Sequence, residues 1–348
     1  QFLEDIIVQL LREGDFKGRR VAASMPAPLT HVLHLRLNRG DNAFLDAEME
    51  EQLRGRVPVD PTQMVTRRVD VAEVMANGSA KQEVIAMAVR RSVVMHHVEI
   101  LKRAGLGVVG IHCEPVAILE AFSHLFRRER DKEKTTLFID LGLQTTKAII
   151  AHGNQMVFAK MIQVAGEHFD RQFAEELGID FAEARQRRRD QAGEPLGEGA
   201  PPELDRAQRN HAVTGAVIQN AAPEETESEA TQAAVATEHA LQPIGETIPS
   251  GGEMLDCLID ELQLCIGYHG SLFPQRRINS LVFIGGESRQ IAMCQRIARA
   301  LKLPAQLGDP LARAGRDAVD APMVNVDLRE PQPSFAVSLG LCRLPTNL

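Results

Sequence analysis

The chain has no tryptophan and one tyrosine, and aromatic residues make up 4% of its 348 residues. Proteins that bind single-stranded nucleic acid stack the bases on aromatic side chains, so this scarcity excludes a base-stacking platform. The formal net charge of −8 also argues against a surface that neutralises a phosphate backbone. We therefore expect no nucleic-acid partner.

Long apolar runs and clustered cysteines are also missing. No apolar run approaches the length of a membrane span and no signal peptide is present, so we expect no direct membrane span. The five cysteines are scattered, mostly within apolar runs, which predicts reduced thiols of a cytoplasmic protein. Two pairs of histidines, His31 with His34 and His96 with His97, have no Cys or carboxylate partner at the spacing of metal ligands. We therefore expect solvated or capped histidine side chains and no metal site at these four residues.

A hydrophobic content of 44% is sufficient for two domains or one large divided domain. Residues 1–12 carry apolar side chains at helical spacing, and Arg20–Met25 is predicted to form a strand that runs into a turn. Residues 30–104 predict a compact unit with the order β-α-β-β-α. Residues 190–245 are rich in Gly, Pro, Ala, Glu and Thr, which predicts a flexible or partly helical insertion.

Residues 135–153 predict a β-hairpin with a small polar tip. A buried-strand run ends at Asp140, Gly142 lies in the turn, and a second apolar run follows Lys147. Backbone N–H groups and hydroxyls at such a tip can approach a phosphate closely. Asp140, at the strand end, is placed to hold a magnesium ion through water. An ordinary hairpin with a glycine turn explains the same residues.

A second buried-strand run, Leu281–Ile284, leads into two glycines, Gly285 and Gly286. An amphipathic helix follows them, with apolar residues at helical spacing along one face. A strand, a glycine pair and a helix N-terminus form a favourable place for a nucleotide. This stretch therefore predicts a second part of a nucleotide site.

The order of these motifs resembles that of the actin-like ATPase superfamily. The D-L-G-x-x-T segment at Asp140 resembles its phosphate motif, and the glycine pair at Gly285 resembles its adenosine motif. The end of the chain, 335–343, resembles the closing A-x-x-L-G-L helix of the bacterial members. Within the superfamily, the chain is most similar to the PilM family of type IV pilus assembly, through the segments 162–170, 177–184 and 307–310.

The resemblance implies an α/β, actin-like ATPase fold, in which two ribonuclease-H-like halves surround a nucleotide cleft and one half carries an inserted β-α-β-β-α subdomain. The implied units are the first half (1–26 and 105–130), the inserted subdomain (27–104), the second half (131–164 and 276–348) and its own inserted subdomain (165–275). The family's first phosphate hairpin is expected before the helix at 1–12 and is missing from this sequence. Because the first residue is Gln1 and not Met, residues upstream would decide whether that hairpin exists.

The resemblance also implies the cofactors ATP and Mg²⁺, the latter at Asp140. Glu114 lies before a proline, where bacterial actins activate the hydrolytic water, and a carboxylate there can accept a proton. A cap at the helix N-terminus explains Glu114 equally well. The residues implied to contact the nucleotide are Asp140, Gly142, Thr145, Thr146, Lys147, Gly166, Glu183, Arg187, Gly285, Gly286 and Glu287. An alternative interpretation of the arginine run 187–189 is the exposed end of a helix that makes no contact with the nucleotide. Hydrolysis of ATP, if it occurs, is expected to be slow.

The implied function is that of a cytoplasmic adaptor on the inner-membrane platform of a type IV pilus or a type II secretion system. The implied partner is the cytoplasmic tail of a PilN-like single-span membrane protein, which would hold the chain at the inner face of the inner membrane. The tail would bind as an extended peptide between the inserted subdomain and the first half, with Val32–Leu37 and Val93–Leu101 available as lining. Other platform components and a second copy of the chain are further expected partners.

Three alternatives stay open at this point. An FtsA-like, filament-forming division protein would end in an amphipathic membrane helix, which residues 343–348 cannot form. A sugar kinase or exopolyphosphatase of the same superfamily would need the first phosphate hairpin and would lack the β-α-β-β-α unit. A nucleotide-free scaffold is favoured by the missing hairpin and by Ala165, where the family usually has glycine.

Overall fold

The structure is a computed structural model, and it describes residues 2–14, 16–76, 78–126, 128–190, 217–218, 253–313 and 330–346. The helices are α1 (Phe2–Glu13), α2 (Asn42–Leu53), α3 (Arg91–Arg103), α4 (Glu114–Ala121), α5 (Glu129–Lys132), α6 (Gly166–Leu177), α7 (Phe181–Asp190), α8 (Met254–Leu272), α9 (Ile291–Leu301) and α10 (Ala336–Arg343). The strands are β1 (Arg20–Met25), β2 (His31–Asn38), β3 (Met64–Ala76), β4 (Ser79–Arg90), β5 (Gly107–Cys113), β6 (Thr135–Leu141), β7 (Thr146–His152), β8 (Gln155–Ile162), β9 (Val217–Ile218), β10 (Ser280–Ile284) and β11 (Ala305–Leu307). Apart from residues 190, 217 and 218, the predicted insertion at 190–245 lies outside the described residues.

The first half contains the parallel pair of strands β1 and β5. Helices α1 and α3 cover this pair, because Leu101 of α3 packs with Ala23 and Leu106 in one buried cluster. Ile7 and Leu11 of α1 pack against the same cluster, as expected from the helical spacing of their apolar side chains. The predicted helix at 1–12 and the predicted strand at Arg20–Met25 are thereby confirmed.

The inserted subdomain forms an antiparallel sheet in the order β2-β4-β3, with α2 on one face. Its element order, β2-α2-β3-β4-α3, confirms the predicted β-α-β-β-α unit. Consecutive side chains of a strand point to opposite faces, and β4 is buried on both: Val84 packs under α2, while Ile85 packs into the large core. Leu35 and Leu37 of β2 are buried in the cluster under α2, so core packing takes these two residues of Val32–Leu37 and they are not available to line a peptide site.

The second half contains the sheet β8-β7-β6-β10-β11-β9, in which β6 pairs antiparallel with β7 and parallel with β10. The predicted hairpin at 135–153 is confirmed, and Asp140 stands opposite Lys147 in its register. The predicted strand before Gly285 is also confirmed as β10. Strand β8 was not predicted. The inserted sheet packs against this strand: His34 of β2 stacks on Phe158 of β8, with ring centroids 4.7 Å apart.

A buried carboxylate, Glu83 of β4, joins the inserted sheet to the second half. Its oxygens accept hydrogen bonds from the Tyr268 hydroxyl at 2.6 Å and from Arg36 Nε at 3.0 Å. Burial opposes the charged form of Glu83, but bonds from His34, Tyr268 and Arg36 hold its pKa below the usual value. The carboxylate therefore stays charged and ties the two bodies together.

All five cysteines are free, as predicted. Burial raises the pKa of the Cys113 thiol to about 11 and that of Cys265 to about 12, which keeps both protonated at neutral pH. The described residues contain no group of three or more His, Cys, Asp or Glu side chains suited to a metal ion. None of the helices in the described ranges is both long and apolar enough to cross a bilayer.

Candidate functional site

Three glycine-containing turns that lie far apart in the sequence meet in one place. Gly142 lies at the tip of the β6–β7 hairpin, Gly166 begins α6, and Gly285 follows β10. The amide of Gly166 donates to the carbonyl oxygen of Gly142 at 3.0 Å, and the amide of Glu167 donates to that of Leu143 at 2.7 Å. The hairpin tip is thereby fixed against the N-terminus of α6, and the two predicted nucleotide motifs lie side by side.

The two glycines after β10 have different surroundings. Gly285 has φ of 87°, and a Cβ on it would overlap Asp140 Oδ1 and the carbonyl oxygen of Leu141. Glycine is needed there because other residues avoid this conformation and have no room for a side chain. A Cβ on Gly286 would meet no atom within 4 Å. Gly285 therefore packs the turn against the hairpin, and Gly286 faces open space.

Lys147 lies between the two predicted acidic site residues. Its Nζ is 2.6 Å from Asp140 Oδ2 and 2.8 Å from Glu114 Oε2, and the three side chains are 8%, 8% and 16% exposed. Burial opposes the charge of the ammonium, but Asp140 and Glu114 raise the pKa of Lys147 above its usual value. The result is a carboxylate–ammonium–carboxylate cluster beneath the glycine turns, which we call the Lys147 cluster.

The Lys147 cluster leaves no oxygen of Asp140 free to ligate Mg²⁺ directly, and the magnesium predicted to be held there through water stays a prediction. Mg²⁺ requires oxygen ligands at about 2.0–2.1 Å in octahedral geometry and keeps several of its waters. One oxygen of Asp140 is bonded to the Lys147 ammonium, and the other lies against Gly285. Glu114, the predicted catalytic residue, is held by the same ammonium, and it also occupies the first turn of α4 before Pro115. The N-cap of α4 is Cys113 and no side chain makes a capping bond there, so Glu114 does not cap the helix and favours it only by its charge in the first turn.

Both predicted threonines at the hairpin tip, Thr145 and Thr146, are buried. The Thr146 hydroxyl donates to the carbonyl oxygen of Val164 at 2.6 Å, which ties the start of β7 to the segment after β8. The hydroxyl of Thr146 is thus occupied in holding the hairpin in place. The threonine therefore supports the site from below and presents no group at its opening.

Helix α7 brings a different arginine to the site from the one predicted. Arg187 and Glu183 pair with each other one turn apart on the exposed side of the helix. Arg188 is buried: it bonds Asp170, donates to the carbonyl oxygen of Gly166 at 3.1 Å and lies 2.5 Å from Glu287 Oε2. Ala184, one turn before Arg188, is buried on the same face of α7, but Ala182 is exposed, so the sequence alone does not select Arg188.

Glu287, predicted to contact the nucleotide, is held by Arg188 at the edge of the glycine turns. A Cβ on Gly166 would lie 2.7 Å from the Glu287 carboxylate, so Gly166 allows this carboxylate to approach. Ten of the predicted site residues thus lie at the three glycine turns or directly beneath them. The other two, Glu183 and Arg187, lie on the exposed side of α7, outside the site. The residues brought together are Glu114, Asp140, Gly142, Thr145, Thr146, Lys147, Gly166, Gly285, Gly286 and Glu287.

One family profile matches more than half of the chain, and a solved structure shares its fold. A family profile described as type IV pilus assembly protein PilM matches residues 1–195, which is more than half of the chain. A solved structure described as a PilM–PilN type IV pilus biogenesis complex matches with a TM-score of 0.66 and 16% identity, and the match covers 98% of this chain and 83% of the other. The likeness shows that the two chains share a fold. No curated protein sequence matches the chain.

Two further solved structures are more distantly similar. The ethanolamine utilization protein EutJ from Carboxydothermus hydrogenoformans has a TM-score of 0.40 and 14% identity, with 74% of this chain and 62% of the other covered. MreB5 of Spiroplasma citri bound to ADP has a TM-score of 0.37 and 15% identity, with 72% of this chain and 64% of the other covered.

Proposed function

The chain belongs to the PilM family of type IV pilus assembly proteins and has an actin-like fold, and from this premise we propose that it is a cytoplasmic adaptor of the pilus platform. The adaptor binds ATP at the three glycine turns and binds the cytoplasmic tail of a PilN-like membrane protein beside the inserted subdomain. The partner holds it at the inner face of the inner membrane. The observation that carries this proposal is the family match over 1–195, which includes the whole inserted subdomain and the hairpin. The domain boundaries predicted from the sequence are part of the proposal.

Nucleotide binding is supported by the meeting of the hairpin tip, the start of α6 and the turn after β10. Backbone amides and glycines at such a junction allow phosphates to approach the main chain closely. Gly286 faces open space at this junction, where a bound purine or ribose has room. The site is therefore open at Gly286 and closed below by the Lys147 cluster.

Gly286→Asp is expected to weaken ATP binding by more than about 100-fold, because a carboxylate at the opening repels the phosphates and fills the space. Stability should change little, since a Cβ at Gly286 meets no atom within 4 Å. Isothermal titration calorimetry with ATP, alongside circular dichroism, measures both. Gly286→Asn has the same size without the charge and is expected to retain weaker, measurable binding. Undiminished binding by Gly286→Asp would remove the turn from the site.

Peptide binding is supported by helix α3, which links the inserted sheet to the first half. The helix follows β4 directly, and its Leu101 is buried with Ala23 of β1. Val93, Val94 and Val98 are only partly buried, and none of the three apolar clusters of the described residues includes them. These valines therefore form an apolar strip at the junction, suited to alternate side chains of an extended peptide.

Val94→Glu is expected to weaken binding of a labelled PilN-like tail peptide by at least about tenfold, because a buried contact with the strip is replaced by a charge. Met95→Glu is the matched control: Met95 is 59% exposed on the neighbouring side of α3, and binding should be unchanged. Fluorescence anisotropy measures both affinities. Absence of binding by the unaltered chain at high micromolar concentration, with and without ATP, would contradict the adaptor function and favour a filament or a scaffold.

A further inference from the structure

We infer that the ammonium of Lys147 occupies the place of a divalent cation in this cleft, so that the chain holds nucleotide without Mg²⁺. The nucleotide part of this inference rests on the proposed function. The cation part rests only on Lys147, Asp140 and Glu114.

The geometry shows one cation serving two carboxylates. Lys147 Nζ lies within 2.8 Å of an oxygen of both Asp140 and Glu114, and both contacts are charge-assisted hydrogen bonds. The two carboxylates come from different parts of the fold, one at the end of β6 and one at the start of α4. A positive charge at this point holds them together, as a metal ion between two carboxylates does.

A divalent cation would have to displace this ammonium. The Lys147 side chain is 8% exposed and stands opposite Asp140 in the hairpin register, so the hairpin itself places the two groups side by side. A divalent cation in this place would compensate the two carboxylates but leave the buried ammonium without a partner, which is strongly unfavourable. A cation that entered beside the ammonium would meet a like charge at close range. Both routes disfavour Mg²⁺ at Asp140.

The same contacts bear on turnover. Glu114 is the carboxylate predicted to take a proton from water, and its Oε2 is bonded to Lys147. The charge-assisted hydrogen bond to the ammonium occupies that oxygen. The arrangement therefore favours a site that binds nucleotide and hydrolyses it slowly or not at all.

Manganese titration of the protein alone tests the cation part, because Mn²⁺ binds oxygen sites of the Mg²⁺ type and free Mn²⁺ is measured directly by electron paramagnetic resonance. The unaltered chain is expected to bind no stoichiometric Mn²⁺, and Lys147→Met is expected to bind one. Lys160→Met is the matched control, since Lys160 makes a similarly buried pair with Glu261 at 2.5 Å. It should bind none.

Lys147→Met leaves two buried carboxylates unpaired, so the double variant Lys147→Met, Glu114→Gln is measured beside it and keeps only the charge of Asp140. Stoichiometric Mn²⁺ on the unaltered chain, lost in Asp140→Asn, would overturn the inference. Absence of Mn²⁺ from both Lys147 variants would overturn it too, because Lys147 would then not be what excludes the metal.

Calorimetry with ATP in Mg²⁺ and in EDTA tests the nucleotide part. The dissociation constants are expected to agree within about twofold, and a loss of more than about tenfold in EDTA would overturn the inference. If ATP binds in neither buffer, the proposed nucleotide site and the nucleotide part of the inference are both wrong, and the manganese titration still decides the cation part.

Discussion

Replacing Arg188 by methionine is expected to lower the free energy of unfolding by about 3–5 kcal/mol, the cost of removing one partner from a buried ion pair. Asp170 and Glu287 would both lose the guanidinium that they share, and Asp170 is 1% exposed. The carbonyl oxygen of Gly166 would lose a donor as well. ATP binding should weaken in the same variant, because Arg188 holds the start of α6 and the turn after β10 in their relative positions.

The neighbouring arginine provides a matched control. Arg187 is 52% exposed on its side chain and pairs only across the helix surface with Glu183. Such pairs contribute little, so Arg187→Met should change the free energy of unfolding by less than about 0.5 kcal/mol. Urea unfolding followed by circular dichroism measures both variants. Equal effects of the two substitutions would show that Arg188 is not the buried partner of Asp170.

Gly340→Ala is expected to lower the free energy of unfolding by about 3 kcal/mol, at the upper end of the usual cost of overpacking. A Cβ on Gly340 would overlap the carbonyl oxygen of Ala117, so α10 and α4 would have to move apart. A helix backbone yields less readily than a side chain. Because Ala117 lies one turn after Glu114, the shift should also disturb the Lys147 cluster.

Gly267→Ala serves as the comparison for this substitution. Gly267 also lies inside a helix, α8, but a Cβ there would meet nothing within 4 Å. Alanine is a better helix former than glycine by about 1 kcal/mol, so this variant should be more stable than the unaltered chain. Thermal and urea unfolding distinguish the two outcomes. Gly340→Ala as stable as Gly267→Ala would contradict the close approach of α10 and α4.

Much of the architecture was predictable because it depends on local patterns. Apolar residues at helical spacing identified α1, and the residues at 30–104 indicated the β-α-β-β-α order of the inserted subdomain. Buried-strand runs that end in glycine identified the hairpin at 135–153 and the turn at Gly285. These signals depend on residues only a few positions apart, and the order of the motifs was sufficient to indicate the actin-like fold.

The sequence by itself thus determined the order of the main motifs and the glycines that let three turns approach one another, whereas the tertiary structure decided how the charges are paired. Lys147 could be recognised as a site residue, but its bond to Glu114 depends on where α4 packs against the hairpin. Arg188 and Arg187 are neighbours with the same chemistry, and only the packing of α7 makes one a buried partner and the other an exposed one. A charge interacts with whatever the fold brings within a few ångströms, and this distance does not depend on separation along the chain.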